Sequence, residues 1–256
     1  MRFKEHYNVR SYEVDLYGAL KPMQLMQLLQ ESGDRQMRAE AVAYDDMYIK
    51  EHKAFVVSRM NIEVFAPVYK YSDVEVETWI IPGKGANFPR GYEMYKDGEL
   101  VARAICNWAL VDTISGKLIA SKDYDMGSYS MDEEPKLTVP RRFRIPKELE
   151  FQEVESSKVA VSMIDINMHM NNTVYAAKLY DNIPEAEKYF ITSINLRYVH
   201  EAPLGSEFKV YRSEPVEPGE MDLRAEKLIY FYTEADGELN LEAAVGLKRI
   251  DELKLK

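Results

Sequence analysis

The sequence predicts an α+β fold built twice in tandem, each half a helix packed on an antiparallel sheet. Three observations carry that expectation. The first is an ordered set of internal echoes. Asp15-Leu-Tyr-Gly-Ala-Leu-Lys-Pro22 recurs as Asp165-Ile-Asn-Met-His-Met-Asn-Asn172, Asn61-Ile-Glu-Val-Phe-Ala-Pro67 as Asn195 to Pro203, and Asp97-Gly-Glu-Leu100 as Asp236-Gly-Glu-Leu239, at spacings of 150, 134–136 and 139 residues. The second is that each half reads as a lead-in strand, one helical pattern and then a run of strands. The third is the absence of alternating βα units around a glycine-rich turn, which argues against a dinucleotide-binding fold.

Taken in order, Pro22 suits the first position of a helix. Met23, Met26, Leu29 and Gly33 then place apolar or small residues on one face. Strand patterns follow at 54–65, 71–81, 91–96 and 100–112, and Asp97-Gly98 is a hairpin-turn pair. In the second half Asn172 suits a helix N-cap, with Val174, Ala177 and Tyr180 facing inward. Strands are expected at 191–199, 206–213, 221–233 and 239–249, again with an Asp-Gly pair before the last. The stretch 121–150, with Asp132-Glu-Glu-Pro135 and Pro140-Arg-Arg-Phe-Arg-Ile-Pro146, reads as the connection across the surface. The domains are therefore expected at 1–125 and 151–256, with 126–150 as linker.

A chain of 256 residues buries enough surface to need no disulfide or metal staple. The lone cysteine, Cys106, rules out an internal disulfide framework and fits a reducing compartment. The first ten residues are charged and no apolar run has the length of a membrane span, so a cytoplasmic protein with no secretory signal and no membrane span is expected. The net charge of −10 disfavours nonspecific nucleic-acid binding.

Chemistry concentrates at Asp165-Ile166-Asn167-Met168-His169-Met170. In an extended chain Asp165, Asn167 and His169 would share one face while Ile166, Met168 and Met170 pack. A carboxylate, an amide and an imidazole would then surround one small volume, beside the unpaired N–H groups of a helix start. The same residues also read as a polar edge strand with a capping Asn, or as a calcium loop, although Met170 holds the position where such a loop needs glycine. In the first half Asp15 is retained, but Tyr17 and Ala19 stand where Asn167 and His169 would be. His6, His52 and His200 have no partner at motif spacing.

The pattern Asp165-x-Asn167-x-His169-x-Asn171-Asn172-x-x-Tyr175 resembles the motif of acyl-acyl-carrier-protein (acyl-ACP) thioesterases of plant plastids and bacteria. Arg197-Tyr198-Val-His-Glu201-Ala202 resembles a second segment of that family. So do Phe55 to Met60, Ser72 to Trp79 and Arg103 to Trp108 in the first half. The resemblance runs from about residue 5 to 250. It implies a tandem (double) hot-dog fold, each half a long helix wrapped by an antiparallel sheet, and hydrolysis of fatty acyl thioesters on acyl carrier protein. It implies no metal and no other cofactor. The alternatives for this chain are acyl-coenzyme A hydrolysis by the same fold and a non-catalytic acyl-binding module, and whether two chains pair as a homodimer is left open.

Carried over residue by residue, Asp165, Asn167, His169 and Glu201 match the family's catalytic positions. Many relatives carry Cys where this chain has Ala202, so a cysteine nucleophile at that position is excluded. Water attack remains, with Glu201 as general base, His169 orienting it and protonating the thiolate, Asn167 positioning the carbonyl or the water, and Asp165 fixing its neighbours. Asn171, Asn172 and Tyr175 are expected to meet substrate, and Met23 and Met26 to line the acyl pocket. The carrier protein is acidic like this chain, so docking calls for a basic patch. Arg141, Arg142, Arg144 and Lys147 form the densest candidate.

Overall fold

A computed structural model describes residues 2–40 and 44–250, so residues 251–256 of the expected second domain lie outside the described part. Eleven strands and three α-helices follow one another as β1 (Phe3–Asn8), α1 (Pro22–Glu40), α2 (Tyr44–Glu51), β2 (Lys53–Val64), β3 (Asp73–Ile80), β4 (Phe88–Lys96), β5 (Glu99–Asp112), β6 (Leu118–Ile119), β7 (Phe151–Lys158), α3 (Val174–Asp181), β8 (Tyr189–Tyr198), β9 (Glu207–Ser213), β10 (Lys227–Ala235) and β11 (Glu238–Arg249).

Pro22 opens α1, as its fixed φ and missing N–H favour. The buried stripe is Leu25, Met26, Leu29, Ser32, Gly33, Gln36 and Met37, three and four residues apart. The second-half helix is shorter, eight residues, and buries Val174, Tyr175, Ala176 and Leu179, whereas Ala177 and Tyr180 are half-buried. Asn172 does not cap it. Thr173 flanks the helix, and the Asn171 side chain accepts from the Thr173 N–H at 2.9 Å and its hydroxyl at 2.7 Å. Helix α2 was not legible in the sequence.

The strands pair in the order β1-β3-β4-β5-β2-β8-β11-β10-β9-β7, with β6 beside β5. Read outward from the centre, each half repeats one arrangement, which is the tandem hot-dog fold. The Asp97-Gly98 and Asp236-Gly237 pairs both hold left-handed φ, 52° and 80° in one and 50° and 82° in the other. Two-residue turns of this hand match the strand twist, and glycine carries the second position without strain. The strand expected at 221–233 starts only at Lys227. Upstream, Asp222 diverts the chain by accepting from the N–H groups of Arg224 and Ala225.

The two half-sheets meet where β2 pairs antiparallel with β8, Asn61 opposite Asn195, and the Asn61 amide donates to the Asn195 carbonyl oxygen at 2.8 Å. Met60, Ile62, Ile194 and Leu196 point toward the helices and join one core with Leu25, Met26, Leu29, Val174 and Leu179. The other face of the seam is covered by the connecting segment. Leu137 packs on Trp79, Ile81 and Ile105, and Phe143 packs on Leu228, Tyr230 and Ala244. The buried Glu63 carboxylate accepts from the Thr138 N–H at 2.9 Å, and the Trp79 indole donates to the Glu133 carbonyl at 2.8 Å. This segment is thus part of the packing, with Tyr129, Val139 and Phe143 buried. No helix among the described residues is long and apolar enough to cross a membrane.

Gly91 in β4 lies against the fully buried Trp79, and a Cβ there would come within 2.5 Å of the ring. The indole cannot retreat, because it is hydrogen-bonded to Glu133 and covered by the Arg2 guanidinium at 3.7 Å. Gly91→Ala is therefore expected to destabilise the fold by about 1–3 kcal/mol. Urea denaturation should show this as a lower midpoint at unchanged slope.

Candidate active site

Asp165 organises the site through a turn rather than a strand. Its Oδ1 accepts from the Asn167 N–H at 2.9 Å, its carbonyl from Met168 at 3.1 Å, and its own N–H donates to the His169 carbonyl at 3.2 Å. Met168 takes a left-handed φ of 68° to close the loop. The expected alternation therefore fails: Ile166 and Met168 are 70% and 67% exposed, and only Met170 enters the core. The polar residues nevertheless converge, because the turn returns His169 beside Asp165 and a bridge pairs His169 with Pro203. Asp165 Oδ2 then accepts from the Asn171 side-chain amide at 3.3 Å, so both of its oxygens face protein donors.

His169 Nε2 stands 3.5 Å from Glu201 Oε1, with the His side chain 17% and the Glu side chain 64% exposed. Glu201 follows β8 and is held from below. The N–H groups of Val199 and His200 donate to the Asn240 carbonyl, the Asn240 side-chain amide donates to the His200 carbonyl at 2.5 Å and the Tyr175 oxygen at 3.0 Å, and Thr233 donates to Asn240 Oδ1 at 2.7 Å. Asn240 is fully buried, and its polar groups are therefore anchored, as a buried amide must be. Sequence reasoning missed it. Its signal was a lone amide inside the apolar run Leu239-Asn240-Leu241.

The other expected residues separate into two groups. Asn171 and Asn172 line the cavity described below, although their hydrogen bonds are structural: Asn171 serves the α3 entry, and the Asn172 carbonyl accepts from Tyr198 at 3.0 Å. Of the helix-start N–H groups expected to be open, those of Thr173 and Val174 are taken by Asn171. Tyr175 reaches the cavity wall but is buried between Tyr198 and Phe208, and that burial pushes its hydroxyl well above the ordinary tyrosine range. Met23 lines the cavity, whereas Met26 belongs to the core. Of the basic cluster, Arg142, Arg144 and Lys147 are exposed, while Arg141 is tied to Glu134 at 2.5 Å and Asn107 at 2.9 Å. Next to this cluster Arg59 is held below its usual pKa, by burial first and then by the guanidinium groups of Arg197 and Arg142.

A cavity of about 1680 Å³ runs from Asp165, His169 and Glu201 into the first half, where Phe55, Phe88 and Trp108 line it. The first half repeats the turn without the chemistry. Asp15 Oδ1 accepts from Tyr17 and Ala19, Gly18 takes φ 80°, and Leu20 donates to the Val68 carbonyl as Met170 does to that of Ala202. Ala19 thus stands for His169 and Pro67 for Glu201.

Cys106 is buried in β5, and desolvation raises its thiol well above the ordinary range. Alkylation at pH 8 should be negligible in the folded protein and rapid in denaturant, where the thiol regains its ordinary pKa. Fast modification of the native chain would contradict this burial.

Models of the acyl-ACP thioesterase N-terminal domain and C-terminal domain match residues 1–126 and 147–242. The oleoyl-acyl carrier protein thioesterases 1 and 2 of Arabidopsis thaliana chloroplasts are 28% and 30% identical over 208 and 205 residues, each alignment covering 72% of this chain but only 56% and 54% of those proteins. The chain thus spans little more than half the length of these relatives. Among solved structures, an acyl-ACP thioesterase from Bacteroides thetaiotaomicron shares the fold with a TM-score of 0.82 at 20% identity, covering 96% of this chain and 97% of that one. The 12:0-ACP thioesterase from Umbellularia californica does so with a TM-score of 0.74 at 19% identity, covering 97% and 98%.

Proposed function

The chain belongs to the acyl-ACP thioesterase family, and from that premise we propose that it hydrolyses fatty acyl thioesters of acyl carrier protein to free fatty acid and carrier protein. The observation that carries the reading is the His169–Glu201 pair, 3.5 Å apart at the solvent end of a cavity large enough for an acyl chain. Residues 1–125 supply the aromatic end of the cavity with Phe55, Phe88 and Trp108, 151–256 supply the acid–base groups, and 126–150 joins them. A cytoplasmic location goes with this reading.

Glu201 removes a proton from water as the oxygen bonds to the thioester carbonyl carbon. Its exposure lets water reach it, and His169, less exposed, fixes its orientation. Asn167 steadies the carbonyl oxygen as negative charge gathers there. The turn built by Asp165 holds Asn167 and His169 at their places. Collapse of the tetrahedral intermediate breaks the C–S bond, and the proton taken by Glu201 passes through His169 to the departing thiolate. A separation of 3.5 Å shortens to a hydrogen bond when substrate excludes water from the pair. Ala202 contributes only a backbone carbonyl to the site, so no thiol takes part there.

Thiol release from acyl-ACP with enzyme at trace concentration tests the assignment. Glu201→Gln and His169→Ala should each lower kcat by about 10²–10⁴ with the circular dichroism spectrum unchanged. Near wild-type turnover in both variants would overturn it.

Docking of an acidic carrier on a chain of net charge −10 calls for local positive charge, and Arg142, Arg144 and Lys147 provide it beside Arg59 and Arg197. The double reversal Arg142→Glu and Arg144→Glu should raise KM for acyl-ACP several-fold, more at low salt, and leave turnover of a short soluble thioester unchanged. Equal losses on both substrates would argue against docking there.

A further inference from the structure

Arg90 in β4 is 4% exposed, yet no carboxylate lies within ion-pair distance of it among the described residues. Its Nη1 donates to the Gln36 carbonyl oxygen and, at 3.2 Å, to the Thr78 hydroxyl, both neutral. Gln36 in turn donates through its amide to Glu40 at 2.8 Å. Nε and the second amino group have no protein acceptor, and they border the cavity that begins at His169 and Glu201. A buried guanidinium left without a counter-charge is costly, and a ligand acceptor would offset that cost.

The surroundings are built for such a ligand. Gly33 lets α1 close over this wall: a Cβ there would press on the Tyr92 hydroxyl at 3.0 Å and on Arg90 Cδ and Nε at 3.3 and 3.4 Å. Tyr92, 1% exposed, brings its hydroxyl to the same wall with no hydrogen-bond partner among the described residues. On the same sheet face, Trp108 Nε1 is a buried donor without an acceptor. Arg90 and Tyr92 can both donate at this wall. Along the sheet, Arg90 pairs with Cys106, Cys106 with Met60, and Met60 with Leu196. Three strand spacings, about 14 Å, thus separate Arg90 from the strand that leads to Glu201.

We propose that Arg90, backed by Gln36, determines acyl specificity by binding an oxygen function at the far end of the acyl chain, a carboxylate better than a hydroxyl and a hydroxyl better than a methyl. The proposal rests on the thioesterase reading for the near end of the chain. At the far end a plain hydrocarbon meets donors it cannot satisfy, and a buried polar group left unpaired weakens binding of the analogue that lacks its partner.

The test compares medium-chain thioesters of one length ending in methyl, hydroxyl or carboxylate. Wild type should show kcat/KM at least about tenfold higher for the carboxylate-ended chain than for the methyl-ended one, and Arg90→Met should abolish or reverse that order. Equal or opposite wild-type preference, or a preference kept in Arg90→Met, would overturn the proposal. Titration of wild type with the free dicarboxylic and monocarboxylic acids of the same length reads the far end without hydrolysis and without a variant. Tighter binding of the dicarboxylic acid supports the proposal even if no thioester is cleaved, an outcome that would remove the thioesterase reading alone. Indistinguishable binding of the two acids counts against Arg90 whatever the hydrolysis assay gives.

Discussion

The antiparallel pairing of β2 with β8 is the constraint on which the rest of the molecule depends. Asn61 and Asn195 face each other across it, buried, and a one-residue slip would separate them and turn Met60, Ile62, Ile194 and Leu196 away from the helices. An amide pair in a low-dielectric interior is demanding about geometry, since leaving either partner unbonded costs about 1–3 kcal/mol. Register at this seam fixes how the first-half cavity meets the second-half turn. His169 and Glu201 come from the far side of the seam, and Phe88, Arg90 and Trp108 from the near side.

Much of this was legible in the residues because the chain states it twice. The three echoes correspond to the Asp-led turns, the seam strands and the two hairpins, and the 134-residue spacing of Asn61 and Asn195 is their pairing across the sheet. The row of candidate catalytic residues is legible for an incomplete reason. Alternation picked out Asp165, Asn167 and His169, but a turn brings them together, with Ile166 and Met168 left in solvent. Gly18 in the first copy gave a hint, for it occupies the left-handed position that Met168 occupies in the second.

What stayed hidden was tertiary. Arg90 reads as an ordinary charge in a strand until α1 closes over it at Gly33. Asn240 acquires a role only when β11 runs beneath the loop that bears Glu201. The stretch 121–150 looks like a polar linker because its partners, Glu63, Trp79 and Asn61, lie far away in sequence and offer it buried hydrogen bonds.

The seam also bears on how such a chain can change. Two identical subunits joined through the same strand would carry every substitution on both sides of the axis, so a residue that deepens a pocket on one side would intrude upon the reaction centre on the other. Here the two copies of the turn are encoded separately. Tyr17, Ala19 and Pro67 can occupy one while Asn167, His169 and Glu201 occupy the other, and a single elongated ligand can lie across what would otherwise be a symmetric pair of half-sized sites. Covalent linkage thereby exchanges two equivalent sites for one asymmetric site with distinct ends, each open to independent selection.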